Sequence, residues 1–269
     1  MIKIAISPCP NDIFNFYSLL KKKKFLSFPY SVETKPLHEL NQLAFSSDYH
    51  FLKTSFLTYF FHEESYRLCD LGHSITHKTG PVIFSKKKYK IDDLKNLIIG
   101  TPGEGTVANF LVKSLFGAQT VYLPFYDIIK NLQESRIEAG AIIHEARTES
   151  EKYGLYKICD LTQIWYERFG TPTFLGALLA RKNLDSEIYQ EFMEALAESR
   201  DYSEKNKEEV FAYAQKYSQE KSLGAIAQHI QNFSINTNLS DFSLEQTVER
   251  FRQAYSELKV YKGAKGLRQ

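Results

Sequence analysis

A histidine at the end of an apolar run is the strongest candidate for chemistry in this sequence. His144 follows the stretch AGAII and begins the polar stretch HEARTES, so we expect its imidazole at the tip of a buried strand. An imidazole in that position can act as a base near neutral pH. A histidine can also end a strand for structural reasons alone, and the residue types leave both interpretations open.

The start of the chain has the layout of a ligand-binding loop. The segment MIKIAIS is followed by PCPNDIFNFYSLL, in which a short alternating strand runs through a proline-punctuated turn into a helix. Asn11 or Asp12 can cap the amphipathic segment that begins at Ile13. Such a turn directs backbone N–H groups towards the strand end, which suits a carboxylate or phosphate. A purely structural turn is the alternative.

A second turn of the same kind lies about a hundred residues further on, in LIIGTPGEGTVANFLVKSLFG. Its glycines allow a tight bend, Thr106 offers a hydroxyl, and Val107 and Ala108 offer backbone N–H groups at a helix start. The turn matches neither the Walker nor the GxGxxG pattern, so nucleotide binding is weakly supported. The stretch LKTSF adds Thr54 and Ser55 as donors at a strand end.

Several classes of protein are disfavoured. The net charge of +2, from 34 basic and 32 acidic residues, gives no field typical of nucleic-acid or membrane binding. The three cysteines lie far apart and predict a reduced, cytoplasmic protein. His73 and His77 lack a third metal ligand at useful spacing, and no serine lies in a GxSxG motif. No stretch approaches the ~20 apolar residues of a membrane span.

The order of the elements predicts an α/β protein. Strands in IKIAIS, YSVETKP and DYHFLKTSF alternate with helical patterns at 13–20, 37–45 and 56–61, which is typical of a mainly parallel sheet covered by helices. A helix is expected in YDIIKNLQESRIEAG, ending at Gly140. The chain from Asp185 onward reads as helices.

Two strand-rich halves followed by helices predict two lobes. We assign residues 1–86 and 178–269 to a large α/β lobe and residues 87–177 to a small one. A ligand is then expected in the crevice between the lobes, outside the carboxyl ends of the strands.

Seven segments in a fixed order identify a resemblance: SPCPNDIF, HELNQLAF, LKTSFLTY, GTPGEGTVANFL, EAGAIIHEAR, YGLYKICDL and TPTFLGALLARKNL. The chain resembles the 1,4-dihydroxy-6-naphthoate synthase family of the futalosine route to menaquinone over roughly residues 1 to 182. The resemblance implies a two-lobed fold like that of the type II periplasmic binding proteins. It also implies a lyase that breaks a carbon–carbon bond in cyclic de-hypoxanthine futalosine.

The resemblance assigns functions to single residues. His144 takes the place of the general base, and no metal or organic cofactor is implied. The substrate, a small carboxylate, is expected to be bound by a monomer or homodimer. The positions that match the family's substrate-binding residues are Asn11, Asp12, Asn41, Ser55, Thr106 and Ala108. We add Val107 and Arg147 to the expected substrate-binding residues.

The sequence departs from the family pattern at three places. Val107 replaces a threonine, Thr148, Glu149 and Ser150 replace Phe-Thr-Tyr, and the loop LGHSITHKTGP carries His73, His77 and Lys78 in place of small residues. Two other functions therefore stay open: a chorismate dehydratase-like enzyme of the same pathway, and a small-molecule binding protein without catalysis.

Overall fold

The computed structural model describes residues 1–21, 26–46, 48–143, 150–218, 222–235 and 243–258. Within these ranges the strands are β1 (Ile2–Ile6), β2 (Tyr30–Thr34), β3 (Phe51–Ser55), β4 (Tyr66–Leu68), β5 (Ser74–Thr76), β6 (Val82–Ser85), β7 (Ile98–Thr101), β8 (Gln119–Tyr122), β9 (Ala139–Ile142), β10 (Tyr156–Asp160) and β11 (Thr173–Arg181). The α-helices are α1 (Pro10–Asn15), α2 (Tyr17–Leu20), α3 (Leu37–Ser46), α4 (Phe56–His62), α5 (Val107–Phe116), α6 (Ile128–Gln133), α7 (Leu161–Phe169), α8 (Ser186–Lys205), α9 (Lys207–Ala214), α10 (Leu223–Ile230) and α11 (Leu244–Glu257).

The chain forms two compact units. The first comprises Met1–Ile75 and Phe174–Thr237, and the second comprises Thr76–Thr173 and Asn238–Gln269. This division differs from the predicted lobes at both ends of the second unit. Strand β6 belongs there because it pairs with β9 and β10, and α11 belongs there because it packs on α5.

The sheet of the first unit is mixed. Its order is β2-β1-β3-β11-β4, and β5 pairs with β11. Strand β1 runs parallel to β2 and β3, as the βαβα pattern predicted, whereas β11 runs antiparallel to β3 and β4. The prediction of a mainly parallel sheet is therefore wrong for β11 and the strands it pairs with, because β11 enters the sheet in the opposite direction.

Helices cover both faces of this sheet. Alternation along β1 and β3 places Ile4 and Phe51 on one face, where Phe51 stacks on Phe192 of α8 with ring centroids 3.7 Å apart. Ala5 and Leu52 lie on the other face, against α3. Side chains are buried on both faces, so a polar side chain of this sheet costs free energy unless it has a hydrogen-bond partner.

The sheet of the second unit has the order β10-β6-β9-β7-β8. Strand β7 runs parallel to β8 and β9, and β6 runs antiparallel to β9 and β10. Gly140 lies in β9 and does not end a helix, since α6 already ends at Gln133. A Cβ at position 140 would lie 2.5 Å from Ile128 Cγ2, so this glycine permits the close approach of α6 to the strand.

Aromatic side chains join three helices of the second unit. Phe251 of α11 stacks on Phe110 of α5 with centroids 5.3 Å apart and lies 4.7 Å from the ring of Trp165 in α7. All three side chains are fully buried. This cluster fixes α11 in the second unit.

Truncating Phe251 tests that assignment. Because Phe251→Ala leaves a cavity between three helices, we expect the free energy of unfolding to fall by about 3–5 kcal/mol in urea titrations. Ser256→Ala, on the exposed side of the same helix, should change it by less than about 0.5 kcal/mol. Equal stability of the two variants would contradict the packing described.

Candidate functional site

A buried ion pair lies under the opening turn of the first unit. Lys53 Nζ of β3 lies 2.9 Å from Asp12 Oδ1 of α1, and the two side chains are 3% and 2% exposed. Lys53 also donates to the Gly72 carbonyl oxygen (2.6 Å) and to Ser74 Oγ (3.1 Å). The ammonium thus has one acceptor for each of its three hydrogens.

The Asp12 carboxylate organises the turn before α1. Ser7 Oγ donates to Asp12 Oδ2 at 2.5 Å, and the Cys9 N–H donates to Ser7 Oγ at 3.2 Å. Pro8 and Pro10 fix the backbone on either side of Cys9. The turn is therefore held in one conformation by a chain of hydrogen bonds that ends at a buried charge.

The Asn11 amide belongs to the same network. Its Nδ2 donates to Asp12 Oδ1 and to Ser74 Oγ, each at 3.0 Å, and its Oδ1 lies 3.0 Å from His229 Nε2 of α10. Both amide hydrogens are used within the protein. We call Ser7, Asn11, Asp12, Lys53, Ser74 and His229 the Asp12–Lys53 network. In this arrangement Asn11 and Asp12 hold the turn, and substrate contact by them stays a prediction.

Two other predicted residues meet at the carboxyl end of β3. Asn41 Oδ1 of α3 accepts a hydrogen bond from the Ser55 N–H at 2.9 Å. Ser55 Oγ is buried and makes no hydrogen bond to any residue that the structure describes. A buried hydroxyl without a partner costs free energy unless something else binds it, and substrate binding by Ser55 Oγ stays a prediction.

The glycine-rich turn of the second unit has a defined geometry. Thr106 is the N-cap of α5, where its Oγ1 accepts from the Asn109 N–H (3.3 Å) and donates to the Gly103 carbonyl oxygen (2.7 Å). The hydroxyl is thus engaged in capping. The N–H groups of Val107 and Ala108 lie in the first turn, for which the helix itself has no acceptor. If this turn binds an anion, the backbone of Val107 and Ala108 supplies the donors.

His144 and Arg147 lie outside the described residues, as does Glu145. The strand predicted to lead to His144 is confirmed: β9 spans Ala139–Ile142, and its four residues are buried. The general-base function of His144 and the binding function of Arg147 stay predictions.

His73 has a structural setting in the first unit. Its Nε2 lies 2.7 Å from the Cys69 carbonyl oxygen, and the Leu178 N–H donates to its Nδ1 at 3.3 Å. These two contacts select the Nε2–H tautomer. Burial, together with the nearby Lys53 charge, lowers the pKa of His73 to about 4. The imidazole is therefore neutral and ties the turn before β5 to β11.

In the part of the chain that the structure describes, no three His, Cys, Asp or Glu side chains lie together as a metal site requires. Across the same residues, no helix is long and apolar enough to cross a membrane.

Three residues of the Asp12–Lys53 network were not predicted from the sequence: Lys53, Ser74 and His229. The signal for Lys53 was present, because a lysine stands inside the apolar strand segment FLKTSF, and a buried lysine requires an acceptor. Its partner Asp12 is far away in sequence, so neither spacing nor periodicity could have identified the pair. His229 lies 218 residues from Asn11 and was missed for the same reason.

Two solved structures define the class of fold. A protein from Archaeoglobus fulgidus superposes with a TM-score of 0.88 at 27% identity, covering 99% of this chain and 98% of that one. The periplasmic aliphatic sulphonate binding protein of Escherichia coli superposes with a TM-score of 0.66 at 14% identity, covering 94% and 86%. The protein has the two-unit α/β fold of the type II periplasmic binding proteins, as predicted.

The sequence comparisons give the family. The family model described as menaquinone biosynthesis matches residues 2–257. The 1,4-dihydroxy-6-naphthoate synthase of Thermus thermophilus is 30% identical over 268 residues, 99% of this chain and 95% of the relative. The enzyme of that name from Streptomyces coelicolor is 27% identical over 237 residues, 85% and 83% of the two chains. This chain belongs to the menaquinone biosynthesis family, which confirms the predicted family.

The neutral His73 makes stability depend on pH. In the unfolded chain its imidazole binds a proton below about pH 6.5, whereas in the folded protein it does so only near pH 4. The stabilisation is therefore complete above pH 6.5 and is lost as the pH falls to 4. At about 1.4 kcal/mol per pKa unit, the loss is about 3 kcal/mol.

His73→Gln, which does not titrate, isolates this effect. Between pH 7 and pH 4, urea titrations should show the wild type losing about 3 kcal/mol more than His73→Gln. Parallel pH dependence in the two proteins would contradict the neutral, buried setting of His73.

Proposed function

We propose that the protein is a 1,4-dihydroxy-6-naphthoate synthase, a lyase that breaks a carbon–carbon bond in cyclic de-hypoxanthine futalosine. The observation that carries this proposal is the 30% identity to the Thermus thermophilus enzyme of that name over 99% of this chain. The family match over residues 2–257 supports the same pathway. No cofactor is part of the proposal.

The reaction is proposed to begin with removal of a proton by His144. A neutral imidazole can accept a proton near pH 7, and loss of the proton leads towards an aromatic naphthoate. Support for this function comes from the buried strand β9, which ends at Ile142, two residues before His144. Arg147 is proposed to bind the substrate together with the residues below.

The substrate is proposed to bind polar groups that lack hydrogen-bond partners among the described residues. The Ser55 hydroxyl is one, because it makes no hydrogen bond to the described part of the chain, and Asn41 lies beside it. The N–H groups of Val107 and Ala108, at the N-terminus of the ten-residue helix α5, are proposed to bind the carboxylate. Thr106 supports them as the cap.

The direct test is product formation from cyclic de-hypoxanthine futalosine, followed by chromatography. Wild-type protein should release 1,4-dihydroxy-6-naphthoate, and His144→Ala should lose at least about 100-fold in kcat while still binding the product. His50→Ala is the matched control. His50 directly precedes β3, whereas Ser55 lies at the other end of that strand, so this variant should keep the wild-type kcat.

Wild-type protein that folds and binds the product but releases none would contradict the lyase proposal. That result would instead favour a small-molecule binding protein. A His144→Ala variant with wild-type turnover would remove the general-base function and leave the lyase activity standing.

Ser55→Ala separates stability from binding. Because Ser55 Oγ has no partner among the described residues, its removal should leave the free energy of unfolding unchanged or raise it by up to about 1 kcal/mol. Loss of a hydrogen bond to the substrate should lower kcat/KM by about 10-fold. Urea titration and steady-state kinetics measure the two effects.

Thr54→Val is the control for Ser55→Ala. Thr54 Oγ1 is also buried without a partner in the described chain, but its side chain points to the other face of β3. We expect a similar change in stability and no change in kcat/KM. An equal kinetic effect in both variants would show that Ser55 does not contact the substrate directly.

A further inference from the structure

The residues around Lys53 leave space for its side chain and bind its ammonium group. Gly176 of β11 pairs with Ser55 across the sheet, and a Cβ at position 176 would lie 3.1 Å from Lys53 Cε. The absence of a side chain there makes room for the lysine stem. Three acceptors then fix its ammonium: Asp12 Oδ1, the Gly72 carbonyl oxygen and Ser74 Oγ.

Stability alone does not account for a buried ion pair. A pair of apolar side chains of similar volume is often as stable, because removing two charges from water offsets much of their attraction. What the ion pair supplies, and an apolar pair does not, is a fixed distance and direction between two segments. Here those segments are the opening turn and strand β3.

The contacts define what Lys53 holds in place. Through Asp12 it orders Ser7 and the N–H of Cys9, and through Ser74 it contacts the same hydroxyl to which the Asn11 amide donates. Lys53 and Ser55 lie two residues apart on one face of β3. Any shift of Lys53 therefore moves the turn and the strand end relative to each other.

We propose that Lys53 is a positioning residue for the lyase site, which holds the turn at Ser7–Asp12 against the strand end that carries Ser55. This inference rests on the proposed function. Because all three ammonium hydrogens have acceptors within the protein, Lys53 acts through Asp12 and Ser55 and does not contact the substrate. Asp12 has the same positioning function.

The test compares the wild-type chain with four variants, of which the first two change the ion pair. Lys53→Met leaves the Asp12 carboxylate buried without its counter-ion and should be strongly destabilised. Asp12→Asn combined with Lys53→Met removes both charges and should recover most of that stability. We expect this double variant to be folded, yet to show kcat at least 10-fold below wild type with KM within about 3-fold, since small misplacements slow the chemical step.

A third variant, Gly176→Ala, keeps both charges. Its methyl group would press on Lys53 Cε, so we expect a kcat about 10-fold below wild type without loss of the folded state. Ser203→Ala is the matched control. It removes a buried hydroxyl that donates to the Phe14 carbonyl oxygen, lies outside the Asp12–Lys53 network, and should lower stability while leaving kcat and KM unchanged.

The outcomes separate this inference from the proposed function. If wild-type protein releases no dihydroxynaphthoate, the proposed function fails and the inference fails with it. If wild type is active and the folded double variant keeps its kcat, Lys53 is structural only and the inference alone is overturned. If the double variant does not fold, an unchanged kcat in Gly176→Ala overturns the inference, and a lowered kcat with wild-type KM supports it.

Discussion

The first unit depends on one buried ion pair. Asp12 and Lys53 lie almost wholly out of water, where each unpaired charge costs on the order of several kcal/mol. The protein meets this cost with a complete set of partners: Ser7, Asn11, the Gly72 carbonyl and Ser74. These contacts fix the positions of three segments relative to one another: the turn before α1, strand β3 and the turn before β5.

Other features of the sequence follow from this constraint. Gly176 lacks a side chain where the lysine stem passes. His73 stays neutral because it is buried and lies near the Lys53 ammonium, and in the neutral form it accepts from the Leu178 N–H and contacts the Cys69 carbonyl. These two contacts use both ring nitrogens of the neutral imidazole.

Local patterns in the sequence predicted much of this protein. Alternation identified β1, and the glycine-rich turn with Thr106 identified the start of α5. The direction of β11 could not be predicted, because pairing with β3 joins residues more than a hundred positions apart. Gly140 was misread as a helix end, since a glycine required by a close helix resembles one required by a left-handed turn. The Asp12–Lys53 network depends on tertiary contacts that no local pattern records.

A crystal structure with bound 1,4-dihydroxy-6-naphthoate would show whether Lys53 orders the site or contacts the ligand. We expect a ligand oxygen within hydrogen-bond distance of Ser55 Oγ, with Lys53 Nζ still bound to Asp12, Gly72 and Ser74. A Lys53 ammonium bound to the ligand, with Asp12 released from it, would contradict the positioning function proposed for Lys53.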